Sequence, residues 1–179
     1  MHDSSTPYPS HDQFAVSVVN RQSRNVVNEI ELVAAVQSVL NESEFSSANV
    51  SVAVVDDDTI HELNRRHLDH DWPTDVLSFV LDDDRGHLEG EVIISADTAA
   101  ASAREIGWPA AAEQLLYVIH GTLHLVGYRD KKAADKKEMQ SVEAIFLRQF
   151  GWDKLRASSL NGVAQRKPRG QSRRGAKLR

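Results

Sequence analysis

Two histidines and an aspartate in the second half of the chain have the spacing of a metal site. His120 and His124 are four residues apart, which on a helix places both rings on one face, separated by about 6 Å of rise. Gly127 can adopt the left-handed conformation that ends a helix, so the chain can reverse and return the Asp130 carboxylate to the same cation. Three protein ligands leave a fourth position for water, as in catalytic zinc sites. The spacing therefore predicts a hydrolase whose metal activates water.

Two other interpretations of the histidines stay open at this point. A pair with this spacing in apolar surroundings is also found as two hydrogen-bonded core side chains. The spacing is also that of the metzincin protease motif, H-E-x-x-H-x-x-G-x-x-H, but Gly121 stands where that motif has its glutamate, the general base. The missing glutamate argues against proteolysis and leaves the base unidentified.

Three segments, in matching order, carry a resemblance to a known family. Residues 120–130 read HGTLHLVGYRD, Leu63-Asn64 is followed by DWPTDVLSF at residues 71–79, and residues 90–94 read GEVII. The first resembles the YbeY endoribonuclease signature H-G-x-L-H-L-x-G-Y-D-H at seven positions: His120, Gly121, Leu123, His124, Leu125, Gly127 and Tyr128. The others look like that family's L-N-x-x-[YF]-R-x-x-D-x-P-T-D-V-L-S-F and its G-D-I-x-I strand. Order and spacing agree across residues 50–150.

The resemblance implies a single-strand-specific, zinc-dependent endoribonuclease. Such an enzyme would act in 16S ribosomal RNA maturation, at the 3′ end, and in ribosome quality control in the bacterial cytoplasm, with the small ribosomal subunit and its RNA as partners. It also implies a zincin-like layout around the metal helix. We expect about one zinc ion per chain, held by His120, His124 and Asp130.

Three departures from the family pattern matter. Asp130 stands where the family has its third ligand histidine, and because a carboxylate is a harder ligand, manganese or another divalent metal becomes more plausible. Leu68 stands where the family has an arginine, so Arg65 and Arg66 are the nearest residues that could contact phosphate instead. Glu91 replaces an aspartate, which is a milder change.

Composition and charge place the protein in an ordinary class. The chain has 179 residues, 41% hydrophobic and 26% charged, and no cysteine, so histidine and carboxylate must supply any metal ligands. No apolar run approaches membrane-spanning length and no signal-peptide pattern begins the chain, so the cytoplasm is expected.

The charge is distributed unevenly along the chain. Residues 154–179 contain nine Lys and Arg and no acid, whereas the net charge of the whole chain is −5. We predict a disordered segment at 1–11, a metal-dependent endoribonuclease domain at 12–152, and a basic, disordered tail at 153–179 that either contacts RNA phosphates or only aids solubility.

Periodicity predicts a single α+β domain with the element order β-α-β-α-β-β-α-α-α, in which a mixed sheet of about four strands packs against helices. Asn25 to Leu40 has the spacing of an amphipathic helix, and the helix that carries His120 is apolar on most sides and should be buried. Residues 76–81 and 89–94 form a predicted hairpin, whose polar connection at residues 82–87 is longer than a tight turn.

Four further side chains have two interpretations each. Asp75 either bonds backbone groups where a strand begins or orients a ligand histidine. Lys131 and Lys132 belong to a basic stretch that either faces RNA beside the metal or forms an ordinary charged helix surface. Asp57, in the run Asp56–Asp58, is interpreted as part of an acidic helix start and not as a metal ligand.

Two rivals to the endoribonuclease hypothesis follow from the same residues. A zinc metalloprotease would use the same ligand spacing. A non-catalytic ribosome-assembly factor would keep the metal for stability, and Leu68 in place of the arginine is its best support.

Overall fold

The computed structural model describes residues 13–67, the backbone of Leu68, and residues 74–152. The expectations for residues 1–11 and 153–179, for the side chain of Leu68 and for Asp71–Pro73 lie outside these residues. Within them the chain forms four strands and five helices: β1 (Phe14–Asn20), α1 (Glu29–Asn41), β2 (Ser47–Val55), α2 (Asp57–Leu68), β3 (Val76–Asp84), β4 (His87–Ser95), α3 (Ala96–Ile106), α4 (Ala110–Leu125) and α5 (Ala133–Gln149).

The four strands form one mixed sheet in the order β1-β2-β4-β3. β1, β2 and β4 are parallel to one another, and β3 is antiparallel to β4. The parallel pairs need helical crossovers, which α1 and α2 help to supply, whereas β3 and β4 are joined directly. The predicted α+β class, strand number and element order are confirmed.

Successive residues of a strand point to opposite faces of the sheet, and each face is covered differently. The main core lies where α1, α3, α4 and α5 pack with one face of the sheet, and it includes Leu40, Val52 and Val92. A smaller apolar cluster lies on the other face under α2 and is formed by Val55, Ile60, Leu77 and Ile93. The sheet therefore gives α4 a fixed base on which to hold its side chains.

α4 lies very close to the sheet because it carries a glycine at the point of contact. A Cβ atom added to Gly121 would lie 2.6 Å from Val92 Cγ1 and 3.0 Å from Ser78 Oγ. No real side chain tolerates the first of these distances without a shift of its surroundings. Most residues of α4 are buried, as its apolar sequence predicts.

The start of α1 differs from the prediction. The helix begins at Glu29 and not at Asn25, because the Asn28 side chain accepts a hydrogen bond from Glu31 N at 3.3 Å and caps it. Asn25 instead bonds to the Asp97 carboxylate through Nδ2 at 2.9 Å. Val26 is 91% exposed, so its apolar character did not signal burial in a helix.

The predicted long connection between β3 and β4 is wrong. β3 continues through the acidic residues to Asp84, and only Arg85 and Gly86 separate the strands. Both turn residues have positive φ, 51° and 84°, as a tight hairpin requires. β3 pairs with β4 alone and is exposed from Val80 onward, so a run of acids fits a strand there as well as a loop.

Among the described helices, none is both long and apolar enough to cross a membrane.

Candidate metal centre

The last turns of α4 hold His120 and His124 side by side. Their ring centroids are 4.6 Å apart, the rings are nearly perpendicular at 89°, and the two Nε2 atoms lie 3.1 Å from each other. The neighbouring ligand atoms of a tetrahedral zinc site are about 3.3–3.5 Å apart, given metal–ligand bonds of about 2.0–2.2 Å. The two Nε2 atoms therefore already have nearly the separation that a shared cation requires.

The partners of the Nδ1 atoms fix which nitrogen of each ring carries a proton. His124 Nδ1 lies 2.9 Å from the Tyr128 carbonyl oxygen, which can only accept, so this nitrogen donates. His120 Nδ1 lies 2.7 Å from Glu143 Oε1, and a carboxylate likewise accepts. Both neutral rings then present the lone pair of Nε2 to each other. Two lone pairs at this distance need a positive charge between them, which a proton or a metal cation would supply.

The turn after α4 brings Asp130 back to the histidines. Gly127 has φ 99°, its N–H donates to His124 O at 3.1 Å, and the Tyr128 N–H donates to Leu123 O at 3.0 Å. This pair of bonds is the Schellman motif, which ends a helix and reverses the chain. Asp130 Oδ2 consequently lies 4.0 Å from His124 Nε2.

The three side chains form the one group in the described part of the chain that could hold a metal ion. One ligand atom from each of His120, His124 and Asp130 lies within 4.8 Å of the others. Two imidazole nitrogens and one carboxylate oxygen are an acceptable donor set for zinc and, because of the carboxylate, for harder cations such as manganese. The donor chemistry of these residues fits a divalent metal.

The three side chains open onto two cavities that share Asp130. The larger has a volume of about 440 Å³ and is lined by residues of α3, α4 and α5 together with Asp75 and Asp130: Asp75, Ser102, Glu113, Leu116, Tyr117, His120, Asp130, Lys136, Met139, Gln140 and Glu143. The smaller, of about 200 Å³, is lined by His124, Gly127, Tyr128, Arg129, Asp130 and Lys131. His120 and Asp130 therefore border one cavity, and His124 and Asp130 border the other.

Tyr117 forms part of the wall of the larger cavity. Burial raises the pKa of its phenol, so the hydroxyl stays protonated at neutral pH, and it donates to Ser102 Oγ at 3.1 Å. The bond joins α4 to α3 across the cavity. Tyr117 is a neutral hydrogen-bonding group at this position, not a base.

The predicted RNA-contacting residues fall in two different places. Lys131 lines the smaller cavity beside His124, and Lys132 is exposed at the start of α5. Arg65 and Arg66 lie on α2, where both bind the Glu62 carboxylate, Arg66 through Nε at 2.8 Å. Neither arginine lines the two cavities at the histidines. The structure thus brings Lys131 to the candidate centre and keeps the two arginines in ion pairs elsewhere.

Asp75 lines the larger cavity, and its side-chain bonds are local. Its Oδ1 accepts from the Val76 N–H at 2.9 Å, and its backbone carbonyl accepts from the Ser95 N–H at 2.9 Å. These bonds hold the start of β3 against the end of β4. Backbone bonds of this kind are what the first of its two interpretations describes, and the second, in which it orients a ligand histidine, stays a prediction.

Glu143 is the residue at the centre that sequence reasoning missed. It lies on the buried face of α5 with Met139, Phe146 and Leu147, and only 3% of it is exposed. The available signal was a carboxylate within an otherwise apolar helical stripe, which in a folded protein needs a partner. Its partner, His120, is 23 residues away and could not be identified from spacing.

The packing of Gly121 bears on the protease alternative. The protease motif requires a glutamate at this position, yet there is no space here even for a Cβ atom. A glutamate would have to displace Val92 and Val76 of the sheet. The same histidine spacing therefore occurs here on a helix whose second motif position faces the sheet.

Comparisons with known proteins agree with this geometry. The family described as Endoribonuclease YbeY matches residues 17–151. Endoribonuclease YbeY of Syntrophotalea carbinolica is 39% identical over 136 residues, which cover 72% of this chain and 91% of that protein. Endoribonuclease YbeY of Chloroherpeton thalassium is 33% identical over 130 residues, covering 73% and 92%.

A solved structure shares the fold. The solution structure of TM1509 from Thermotoga maritima superposes with a TM-score of 0.53 at 26% sequence identity, covering 88% of this chain and 99% of that one. The match over residues 17–151 includes α1 to α5, β2 to β4, most of β1 and the candidate metal centre. The chain belongs to the YbeY endoribonuclease family.

Proposed function

We propose that this protein is a metal-dependent endoribonuclease in which His120, His124 and Asp130 hold one divalent cation, and that this cation is zinc. The observation that carries the proposal is the pair of Nε2 atoms, 3.1 Å apart, on two histidines that each line a cavity, in a chain of the YbeY endoribonuclease family. The reaction is cleavage of a phosphodiester bond in RNA.

The chain's own residues supply the rigidity and the charge for this reaction. α4 is buried and fixed by the sheet, so the two imidazoles need little reorganisation when they bind a cation. A cation held there supplies Lewis acidity, which polarises a phosphoryl oxygen or acidifies a water molecule. Tyr117, which stays protonated, offers a hydroxyl in the larger cavity.

Positive side chains beside the centre are suited to the RNA backbone. Arg129 and Lys131 line the smaller cavity with His124, and Lys136 lines the larger one with His120. In the proposal Lys131, with Lys132 beside it at the start of α5, binds phosphates on either side of the scissile bond and steadies the charge that develops there. Arg65 and Arg66 contribute only if RNA releases them from Glu62.

The finer biological role rests on the family resemblance. We propose that the substrate is single-stranded RNA, specifically the 3′ end of 16S ribosomal RNA during maturation and ribosome quality control in the cytoplasm, with the small subunit as partner. The two cavities that meet at Asp130 support this choice, because together they give an RNA strand room beside both histidines.

Elemental analysis combined with an RNA cleavage assay tests the proposal. Purified wild-type protein is expected to contain about one zinc ion and to cleave single-stranded RNA. His124→Ala removes one of the three proposed ligands and is expected to lose its bound zinc together with cleavage. His87→Ala is the matched control, because His87 is a half-buried histidine at the start of β4 that lines neither cavity. Wild-type protein without bound metal, or His124→Ala with normal cleavage, would contradict the proposal.

The same preparations separate the two rival functions. Chelator-sensitive cleavage of a casein-type substrate that His124→Ala abolishes would indicate a protease. If His120→Ala lowers the melting temperature but leaves ribosomal RNA processing normal, the protein is an assembly factor with a structural metal. Analysis of the product ends identifies the nucleophile, since a 2′,3′-cyclic phosphate requires attack by the ribose hydroxyl.

A further inference from the structure

We propose that Glu143 is a positioning residue that fixes the tautomer and orientation of His120 and, through its negative charge, strengthens Nε2 as a ligand. This inference rests on the proposed function, since it concerns how the proposed metal centre is held. Glu143 belongs to α5, whereas both histidines belong to α4. The proposal therefore assigns to α5 a direct part in metal binding although it supplies no ligand.

The contact between the two side chains is short and enclosed. Glu143 Oε1 lies 2.7 Å from His120 Nδ1, and the side-chain exposures are 4% for Glu143 and 26% for His120. A buried carboxylate is strongly unfavourable unless it is hydrogen-bonded, so its place in an apolar stripe is balanced by bonds such as this one. Met139 and Leu147, one turn on either side, are buried as well.

The bond is made at the ring nitrogen that does not face His124. Glu143 Oε1 bonds His120 Nδ1, whereas His120 Nε2 faces His124 Nε2. Through this bond Glu143 acts on the ring itself and not on a group bound at Nε2. What it can do is keep the proton on Nδ1 and leave Nε2 with a free lone pair.

The two histidines have different hydrogen-bond acceptors at Nδ1, and the acceptor of His120 is the charged one. His124 Nδ1 donates to the Tyr128 carbonyl, four residues further along the same turn. His120 Nδ1 donates to a charged group on another helix. A carboxylate makes a stronger hydrogen bond than a neutral carbonyl does, so Glu143 holds the His120 ring more firmly than the Tyr128 carbonyl holds the His124 ring.

Zinc affinity, measured by competition with a chromophoric chelator, tests the assignment. Glu143→Ala removes the acceptor and is expected to weaken zinc binding roughly tenfold to 100-fold. Glu143→Gln keeps the volume and an acceptor oxygen but loses the charge, so it should bind zinc more weakly than wild type and more tightly than Glu143→Ala. Leu147→Ala is the matched control on the same buried face of α5. It should lower the melting temperature of the metal-free protein and leave zinc affinity unchanged.

Nitrogen NMR of the metal-free protein gives a readout that loss of packing alone would not move. Wild-type protein and Leu147→Ala should show His120 protonated at Nδ1, and Glu143→Ala should shift the ring toward the Nε2–H form, in which the ligand lone pair is lost. If Glu143→Ala does not fold, the comparison rests on Glu143→Gln, and an affinity equal to that of wild type overturns the inference.

The outcomes distinguish this inference from the proposed function. Wild-type protein that binds no zinc overturns the metal centre and the inference together. If wild-type protein binds zinc and both Glu143 variants bind it as tightly as wild type, the role of Glu143 alone is overturned. An unchanged His120 tautomer in Glu143→Ala has the same consequence. Weakened binding in the Glu143 variants but not in Leu147→Ala supports it.

Discussion

Asp130 would add a carboxylate to two imidazoles, at the position where the motif that the sequence resembles has a histidine, and this makes the candidate site harder. Its Oδ2 lies 4.0 Å from His124 Nε2, so a small movement of an exposed loop side chain completes the ligand set. Oxygen ligands favour harder cations, and nitrogen ligands favour zinc. The metal preference of this protein should therefore depend on this residue more than on either histidine.

Exchange of Asp130 tests that dependence directly. Asp130→Ala should bind zinc more weakly because one of three ligands is removed. Asp130→His should bind zinc more tightly relative to manganese than wild type does, since an imidazole replaces a hard carboxylate. Zinc and manganese affinities of the three proteins are the measurement. Unchanged metal binding in Asp130→Ala would remove Asp130 from the site.

Gly121 is the second residue with a specific physical demand. Gly121→Ala would place a Cβ atom 2.6 Å from Val92 Cγ1, a β-branched side chain on a central strand. The overpacking should lower the free energy of unfolding by about 1–3 kcal/mol. This loss outweighs the gain of about 0.5–1 kcal/mol that alanine brings over glycine within a helix. The midpoint of urea denaturation should fall, and the slope of unfolding free energy against urea concentration should not change.

Gly90→Ala is the comparison for that experiment. Its Cβ would meet Leu125 Cδ1 at 2.8 Å, but this atom is the far end of a longer and more adaptable side chain. We expect a smaller loss of stability than for Gly121→Ala. Equal losses would mean that the sheet beneath Gly121 yields as easily as a leucine side chain.

At the scale of the element, the end of α4 determines whether the ligands meet. Gly127→Ala places a side chain at φ 99° and should cost about 1–2 kcal/mol, because left-handed backbone is unfavourable for residues with a Cβ atom. It should also weaken zinc binding, since the turn positions both the Tyr128 carbonyl and Asp130.

Gly151→Ala is a matched control for the turn. Gly151 has φ 83° and ends α5 with the same pair of backbone bonds, in which Trp152 N donates to Leu147 O at 3.1 Å. Both variants should lose similar stability in urea denaturation, but only Gly127→Ala should lose zinc affinity. A loss of zinc affinity in both would show that general destabilisation, and not the turn, is responsible.

The start of α2 gives a pH dependence with a definite sign. Hydrogen bonds from the Thr59 side chain and the Thr59 N–H, the latter at 2.9 Å, lower the pKa of Asp56 below its value of 3.8 in model compounds. Asp56 thus caps the start of α2 with an ionised carboxylate. Because its pKa is lower in the folded than in the unfolded protein, the cap stabilises the protein fully when the pH is above the pKa of the unfolded state. The contribution is lost as the pH falls through the pKa of the folded state.

Asp56→Ala should therefore lose about 1 kcal/mol of unfolding free energy at pH 7. The difference from wild type should shrink as the pH falls below 4, roughly the unfolded pKa of an aspartate. Urea denaturation at several pH values measures it. Asp58→Ala, in the same helical turn, should not show this pH-dependent difference from wild type. If it does, the effect arises from the acidic residues in general and not from the Asp56 cap.

At the scale of the whole molecule, the charge is divided between an acidic body and a basic end. Residues 154–179 contain nine Lys and Arg and no acids, against a net charge of −5 for the whole chain. An acidic body repels RNA at long range, and basic residues that neutralise phosphates make binding salt-dependent. The basic end can thus supply attraction that the body lacks.

Deletion of residues 160–179, which contain seven Lys and Arg, tests this division. For every phosphate that this segment neutralises, the deletion should flatten the slope of log affinity against log salt by about 0.7 for single-stranded RNA. Replacement of the seven by glutamine keeps the length and should have the same effect. An unaltered slope in both variants would show that this segment does not bind RNA.

Local sequence patterns determined the element order, the family, the two imidazoles on one helical face and the helix end at Gly127. They could do so because helix periodicity, glycine conformation and motif spacing are properties of neighbouring residues. The acidic end of β3 was misassigned for the same reason. Polarity indicates a loop only where a strand would be buried, and Asp82–Asp84 lie on an edge strand open to solvent.

Only the tertiary structure decided how the imidazoles are oriented and why the helix can lie where it does. Glu143 reaches His120 across 23 residues of sequence, and Gly121 meets Val92 across 29. Such pairs arise from the packing of α4 between the sheet and α5, which no spacing along the chain encodes. The ligands are thus set by local sequence, and their proton positions and rigidity by long-range packing.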